Sequence, residues 1–192
     1  MKGQIILASS SPRRIEMLKE QGINPIIIPP EVDETLPESI KPHNAVLFLA
    51  LKKALYVESI ATEKGYTNGE ILIAADTIVV YGGRIIGKPK NPDDAFYILK
   101  KLCGTMHTVL TGAAILKPGT KYRKALYVST DVFFKSYTDD EIKKYAATTE
   151  PYDKAGGYAI QGTWGKYVDH IEGDTDNVIG FPWGRIVKEL ES

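Results

Sequence analysis

Asp76 and Thr77 close the apolar run Ile71-Leu-Ile-Ala-Ala75, so a carboxylate and a hydroxyl leave a strand whose other residues ask to be buried. The ends of central strands are where α/β active sites gather, and a carboxylate there suits general-base or metal-ligand work. An Asp that only turns the chain explains Asp76 alone just as well. Asp33 and Glu34 make a second acidic group, in the loop after Pro29-Pro30. By themselves they read as a solvated loop. Carboxylates from two loops can nevertheless share a Mg²⁺, which takes oxygen ligands together with substrate phosphates.

The basic candidates are more scattered. In ILASSSPRRIEML, Ile6 to Leu18, a buried strand runs into a helix, with Ser11 at the N-cap and Pro12 in the first turn. Arg13 and Arg14 then fall on the positive end of the helix dipole, where each cation costs about 0.3–1 kcal/mol. Lys52 and Lys53 lie in a long apolar helix, where a lysine by default snorkels to solvent. Lys88, before Pro89-Lys90, reads as a surface loop lysine. Asp153-Lys154 precedes AGGYAIQG, ending at Gln161-Gly162, whose glycines suit close backbone approach or plain turn chemistry.

Other chemistries find no support. Gly82 to Lys88 has the spacing of a phosphate-binding P-loop, but the next residue is Pro89. Proline brings no hydroxyl for Mg²⁺ and biases Lys88 away from helical dihedrals. His43, His107 and His170 have no metal-ligand spacing and no serine partner, and Cys103 reads as a small buried hydrophobe.

The elements that must position these residues alternate between strand and helix, which argues an α/β fold. Strands are expected at 4–8, 24–28, 70–80, 106–116 and 124–135, with a hairpin at Gly82-Gly83 leading into Arg-Ile-Ile-Gly87. Helices are expected at 12–22, from Pro42 through AVLFLALKKALYV, at 92–102, after a capping box at Thr138 to Glu141, and at the C-terminal end of DNVIGFPWGRIVKELES. The segment 151–165 is rich in glycine and aromatics. With no linker or repeat, residues 1–192 read as one domain, its middle (about 85–135) forming a lobe beside the sheet begun by the N-terminus, with a cleft between.

Twenty-four basic residues balance 24 acidic ones, so no net field favours nucleic acid or an anionic membrane. A single cysteine rules out an intramolecular disulfide framework and suits a reducing compartment. Met1-Lys2 leads straight into the first strand, and no apolar run approaches the ~18 residues of a membrane span. A cytoplasmic protein is expected.

Taken together, ASSSPRR (8–14), VDET (32–35), LKKA (51–54), AADT (74–77), GKP (87–89), EPYDKAGGYAIQG (150–162) and NVIGFP (177–182) resemble the motifs of the Maf family of nucleoside triphosphate pyrophosphatases, within the inosine-triphosphate-pyrophosphatase-like superfamily. They occur in the family's order over nearly the whole chain. The resemblance implies a mixed twisted sheet with flanking helices, two lobes around a deep cleft, and a homodimer. It also implies cleavage of a nucleoside triphosphate to monophosphate and pyrophosphate with a divalent cation, Mg²⁺ or Mn²⁺. By matched position, Asp76 is the implied catalytic base. Glu34 and Asp76 are the implied metal ligands, and Ser9, Arg14, Lys53, Lys88 and Lys154 the implied phosphate groups. Arg13, Thr77 and Gln161 are similar to the specificity positions of the dTTP/UTP subfamily, whereas the 7-methyl-GTP subfamily typically lacks the Asp-Thr pair. One departure is Ser9-Ser10-Ser11 where many members have Ser-Gly-Ser, which keeps both flanking hydroxyls.

On this reading the two arginines sit at a positive helix end because a polyanion binds there, meeting backbone N–H groups, serine hydroxyls and guanidinium forks. Asp76 would orient and deprotonate water attacking the α-phosphorus, while cations neutralise charge developing on the phosphates. Arg13, Thr77 and Gln161 would face base or sugar. The rival readings are a nucleotide-binding regulator of septum formation without turnover, and a phosphatase releasing only the γ-phosphate.

Overall fold

The computed structural model describes residues 3–191. Met1, Lys2 and Ser192, read above as the lead-in to the first strand and the end of the last helix, lie outside the described residues. β1 (Ile5–Ala8) leads through α1 (Pro12–Glu20) to β2 (Ile26–Ile27), and α2 (Pro42–Glu63) leads to β3 (Ile71–Tyr81). β1 pairs parallel with β2 on one side and β3 on the other. The chain then continues antiparallel through β4 (Arg84–Ile86), β5 (Met106–Leu116), β6 (Arg123–Phe134) and β7 (Val168–Glu172). The order is β2-β1-β3-β5-β6-β7, with β4 paired to β3. α3 (Pro92–Leu102), α4 (Asp139–Ala146), α5 (Thr175–Ile179) and α6 (Trp183–Glu191) complete the helices, and short 3₁₀ turns fill 150–167. No described helix is long and apolar enough to cross a membrane.

β3 is apolar throughout its first half because it is covered on both faces. Ile71, Ile73 and Ala75 pack with Leu18 of α1 and Ile186 of α6. Leu72 and Ala74 pack with Ala50, Ala54 and Val57 of α2. A second core under α3 and α4, with Val79, Leu99, Leu102, Ile142 and Trp164, covers the far half of the sheet. Asp76 and Thr77 lie where one core gives way to the other.

Gly112 sets the depth of α2. It is the register partner of Asp76 on β5, and a Cβ there would stand 2.4 Å from the Val46 carbonyl oxygen. The helix therefore rests on bare backbone at this point. Val46, Lys53 and Val57 recur along one face of α2, so the seat that Gly112 gives Val46 also sets where Lys53 meets the sheet.

Several expectations change. Asp76 sits mid-strand in β3, not at its end. Residues 85–135 form no lobe beside the sheet: β5 pairs with β3 from Leu72 to Val80 and β6 continues the same sheet. β5 is apolar on both faces, and only a central position buries both. The strand expected at 24–28 shrinks to Ile26–Ile27, since Pro25 has no N–H for a ladder. The C-terminal segment is two helices, broken where Gly180 takes φ +110° ahead of Pro182. β7, a short half-buried edge strand, had no clear sequence signal. The capping box at Thr138 and Glu141 forms as expected.

Candidate active site

β1 pairs with β3 from Ile71 to Ala74, and β4 joins the same strand again from Val79 to Tyr81. Between them, Ala75–Ile78 have no strand partner on that edge among the described residues. A pocket of about 600 Å³ opens at the gap. This makes a mid-strand position behave as a strand end: where β1 stops, β3 presents both faces and its edge at once. Asp76 and Thr77, pointing to opposite faces, both reach the pocket. Ser9, Arg13, Arg14, Glu34, Lys53, Lys88 and Lys154 also line it. Gln161 is exposed and is not part of the lining, although its neighbour Ile160 is.

On the α2 face, Lys53 Nζ donates to Asp76 Oδ1 at 2.6 Å and meets Glu34 Oε1 at 2.7 Å. Lys53 does not snorkel: it is only 8 % exposed and Asp76 only 7 %. Glu34 arrives from the acidic loop with about half its side chain in solvent. Burial works against its carboxylate, but the hydrogen bond from Lys53 and the charges of Lys53, Lys88 and Arg14 outweigh that, and its pKa lies below the ordinary glutamate value. Asp33 instead turns back to accept from Thr35. Of the acidic pair, Glu34 is the one that enters the pocket.

On the opposite face, Arg14 is held by the protein itself. Nε donates to Gly180 O at 2.8 Å, Nη1 to Ala75 O at 2.8 Å and to Ser9 Oγ at 3.3 Å, and Nη2 to Thr77 Oγ1 at 3.2 Å. Four of a guanidinium's five N–H bonds are thereby used. Arg14 closes the open edge of β3 at Ala75 and ties it to α1 and to the α5–α6 turn. Its charge on the helix end is met by carbonyl oxygens and by the fields of Asp76 and Glu34, although burial pulls its pKa down. The positive helix end thus has a protein answer for Arg14, while Arg13 lines the pocket.

Ser9 Oγ accepts both from Arg14 and from the Ser11 N–H at 3.1 Å. Its acceptor capacity is filled, which leaves its proton to donate. Ser11 occupies the N-cap without a side-chain cap bond, and its own N–H is taken by Ser9.

Lys88 is exposed on the β4 side. Lys154 donates to Glu150 O at 2.7 Å and pairs with Asp153 at 2.5 Å. Gly156 brings these two lysines to one wall. Its N–H donates to Gly87 O at 3.1 Å, its φ is +71°, and a Cβ would lie 2.8 Å from Val79 Cγ2. Only glycine fits there without displacement.

Sequence reasoning missed Thr111 and Asn177, both fully buried. Thr111 Oγ1 lies 2.9 Å from Thr77 Oγ1 and donates to Asn177 O at 2.9 Å. A threonine inside the otherwise apolar β5 and an asparagine in NVIGFP were the available signals. His107, which has neither metal-ligand spacing nor a serine partner in the sequence, places Nε2 2.5 Å from the hydroxyl of Tyr158, which lines the pocket.

The donor set suits a hard divalent cation. Glu34 and Asp76 already converge on one positive charge, and both offer only oxygen. No group of three or more His, Cys, Asp or Glu gathers among the described residues, so substrate oxygens and water would complete the coordination, the pattern typical of Mg²⁺.

Curated relatives place this geometry in a family. The chain is 43% identical over 183 residues to the dTTP/UTP pyrophosphatase of Caldicellulosiruptor bescii, covering 95% of this chain and 91% of that one. It is 44% identical over 189 residues to the dTTP/UTP pyrophosphatase of a Geobacillus species, covering 98% and 97%. The corresponding protein of Pelotomaculum thermopropionicum is 41% identical over 188 residues, covering 98% and 95%. A solved structure, the Staphylococcus aureus Ham1 protein, covers 68% of this chain and 71% of its own at 15% identity and a TM-score of 0.38, too distant to bear on the site. Residues 4–192 match the family described as Maf-like protein, and the chain belongs to that family.

Proposed function

We propose that the protein is a pyrophosphatase that hydrolyses dTTP and UTP to the monophosphate and pyrophosphate. The observation that carries this reading is the sheet-edge gap, which presents the Asp76 carboxylate and the Thr77 hydroxyl to one pocket ringed by cationic groups. The names of the relatives, at 41% to 44% identity over nearly the whole chain, support the substrate.

Asp76 Oδ1 is engaged by Lys53, and Oδ2 has no protein partner among the described residues. Asp76 takes the proton from a water as its oxygen attacks the α-phosphorus. The bond from the α-phosphorus to the α,β-bridging oxygen breaks, and pyrophosphate leaves with the bonding electrons. Lys53, Lys88 and Lys154 neutralise the charge that grows on the phosphate oxygens, where preorganised electrostatics contributes most. The Ser9 hydroxyl donates to a phosphate oxygen. Arg14, with most of its N–H bonds spent, positions Ser9, Thr77 and the β3 edge and has one N–H left for phosphate. Arg13, Thr77 and Gln161 face the nucleoside, Gln161 from just beyond the pocket wall.

Glu34 and Asp76 would hold a Mg²⁺ or Mn²⁺ ion. Such an ion supplies charge neutralisation and a more acidic water. The reading also carries a cytoplasmic location, in the nucleotide pool, and a homodimer. Light scattering should give about twice the 21.2 kDa chain mass.

Incubation with UTP and Mg²⁺, with products resolved by ³¹P NMR, tests the proposal. UMP and pyrophosphate are expected. UDP with orthophosphate would make it a γ-phosphatase. Tight UTP binding with no products would favour a nucleotide-sensing regulator of septum formation.

A further inference from the structure

Thr77 Oγ1 sits in a hydrogen-bond chain whose direction can be worked out atom by atom. The far end is Asn177 O, a carbonyl, which only accepts. Thr111 must therefore spend its single hydroxyl proton on Asn177 O, 2.9 Å away. Toward Thr77, also 2.9 Å away, Thr111 has only lone pairs left, so the proton between the two threonines belongs to Thr77. Arg14 Nη2, 3.2 Å from Thr77 Oγ1, has no acceptor capacity and donates. The Thr77 hydroxyl thus has its proton committed inward and one lone pair filled. One lone pair remains.

The chain is firmly anchored. Asn177 Nδ2 donates to Val109 O at 3.0 Å and to Thr130 Oγ1 at 2.9 Å, which pins the Asn177 backbone against β5 and β6. Thr111 and Asn177 are fully buried, so water does not offer Thr111 another partner. Gly180 leaves the last lone pair uncovered, since a Cβ there would come within 3.1 Å of Thr77 Oγ1.

We propose that Thr111 is a specificity-positioning residue, which fixes Thr77 as a hydrogen-bond acceptor toward the pocket and so selects bases that present an N–H donor. The inference rests on the pyrimidine-nucleotide reading of the pocket and deepens it. Uracil and thymine carry a ring N3–H, whereas cytosine carries a bare N3 lone pair. Facing a hydroxyl that only accepts, cytosine sets two lone pairs against each other. The uracil or thymine imide completes the chain base N–H to Thr77 to Thr111 to Asn177 O. Threonine at 77 alone would not discriminate, because a hydroxyl free to rotate serves either base. The buried relay behind it makes the choice.

The test compares kcat/KM for UTP and CTP, with Mg²⁺, in wild type and in Thr111→Val, Thr111→Ala and Thr111→Ser, each with its melting curve. Both Val and Ala free the Thr77 proton to turn outward, and the UTP/CTP ratio should fall about tenfold, the worth of one mismatched polar pair. The loss should appear in KM, since the bond exists in ground and transition states alike. Ser keeps the relay and should keep the ratio. If Val fails to fold, Ala carries the comparison. An unchanged ratio in the folded Val or Ala variant overturns the inference, as does a Ser variant that behaves like Val. Wild-type preference absent between UTP and CTP overturns it while leaving the pyrophosphatase reading intact. Wild type inert toward both sinks the two together.

Discussion

Lys53 on α2 and Asp76 on β3 form a nearly buried ion pair, 2.6 Å from Nζ to Oδ1, in the stretch of β3 between its pairings with β1 and β4. Asp76→Asn keeps the shape of the side chain and removes its charge and basicity. Turnover of UTP should fall by at least about a hundredfold, the scale of losing a general base. Nucleotide binding should remain measurable by calorimetry. The melting temperature should also fall, because the nearly buried Lys53 ammonium is left with the half-exposed Glu34 as its carboxylate partner. Wild-type turnover in this variant would remove Asp76 from the mechanism.

Lys88 and Arg14 should separate cleanly in mutation. Lys88 is exposed, so Lys88→Ala should leave the melting temperature nearly unchanged and weaken UTP binding more than UMP binding. Arg14 makes four bonds across three segments of chain. Arg14→Lys cannot reproduce the planar fork, and it should destabilise the protein by about 1–3 kcal/mol through the unpaired carbonyls of Ala75 and Gly180. Equal weakening of UTP and UMP by Lys88→Ala would move that lysine away from the outer phosphates.

The contrast between these residues marks what the sequence could carry. Alternating strand and helix patterns located β1, β3, β5, β6 and the main helices, because burial on both faces writes itself into composition. Of the ten residues singled out by motif resemblance, nine line one pocket and Gln161 does not. Three relationships were not legible. That Asp76 lies mid-strand depends on where β1 stops. That Arg14 is tied to carbonyls depends on Gly180, 166 residues away. The relay through Thr111 depends on strand register, which a single sequence leaves open.

Gly112→Ala should impair catalysis without touching the pocket. The new methyl would meet the Val46 carbonyl at 2.4 Å, and α2 must lift for it to fit. Overpacking of this kind costs about 1–3 kcal/mol. Lys53 lies two turns further along the same helix face, so its bond to Asp76 should lengthen. UTP turnover should drop more than UTP binding. A variant with wild-type kcat and a lower melting temperature would show that Gly112 serves packing alone.

His107 should give the fold a pH dependence in the weakly acidic range. It is almost wholly buried against the rings of Phe134 and Tyr158, with Nε2 at the Tyr158 hydroxyl and no partner at Nδ1. Burial pushes its pKa down from 6.5 to about 4, against the opposing charge of Asp131. Between those two values the unfolded chain holds a proton on this imidazole that the folded protein does not. Stability therefore rises with pH across the window and is flat on either side of it. Acidification from pH 6.5 to 4 should cost on the order of 3 kcal/mol. Glu34 acts lower down: its depressed pKa lies below 4.5, so the stability it contributes is lost only as pH falls through that region. Thermal melts of wild type and His107→Phe over pH 4 to 7 check the assignment. The phenylalanine variant should lose most of the slope between pH 6.5 and 4.5 whatever its absolute stability. The same slope in both proteins would mean that His107 is not the group that titrates.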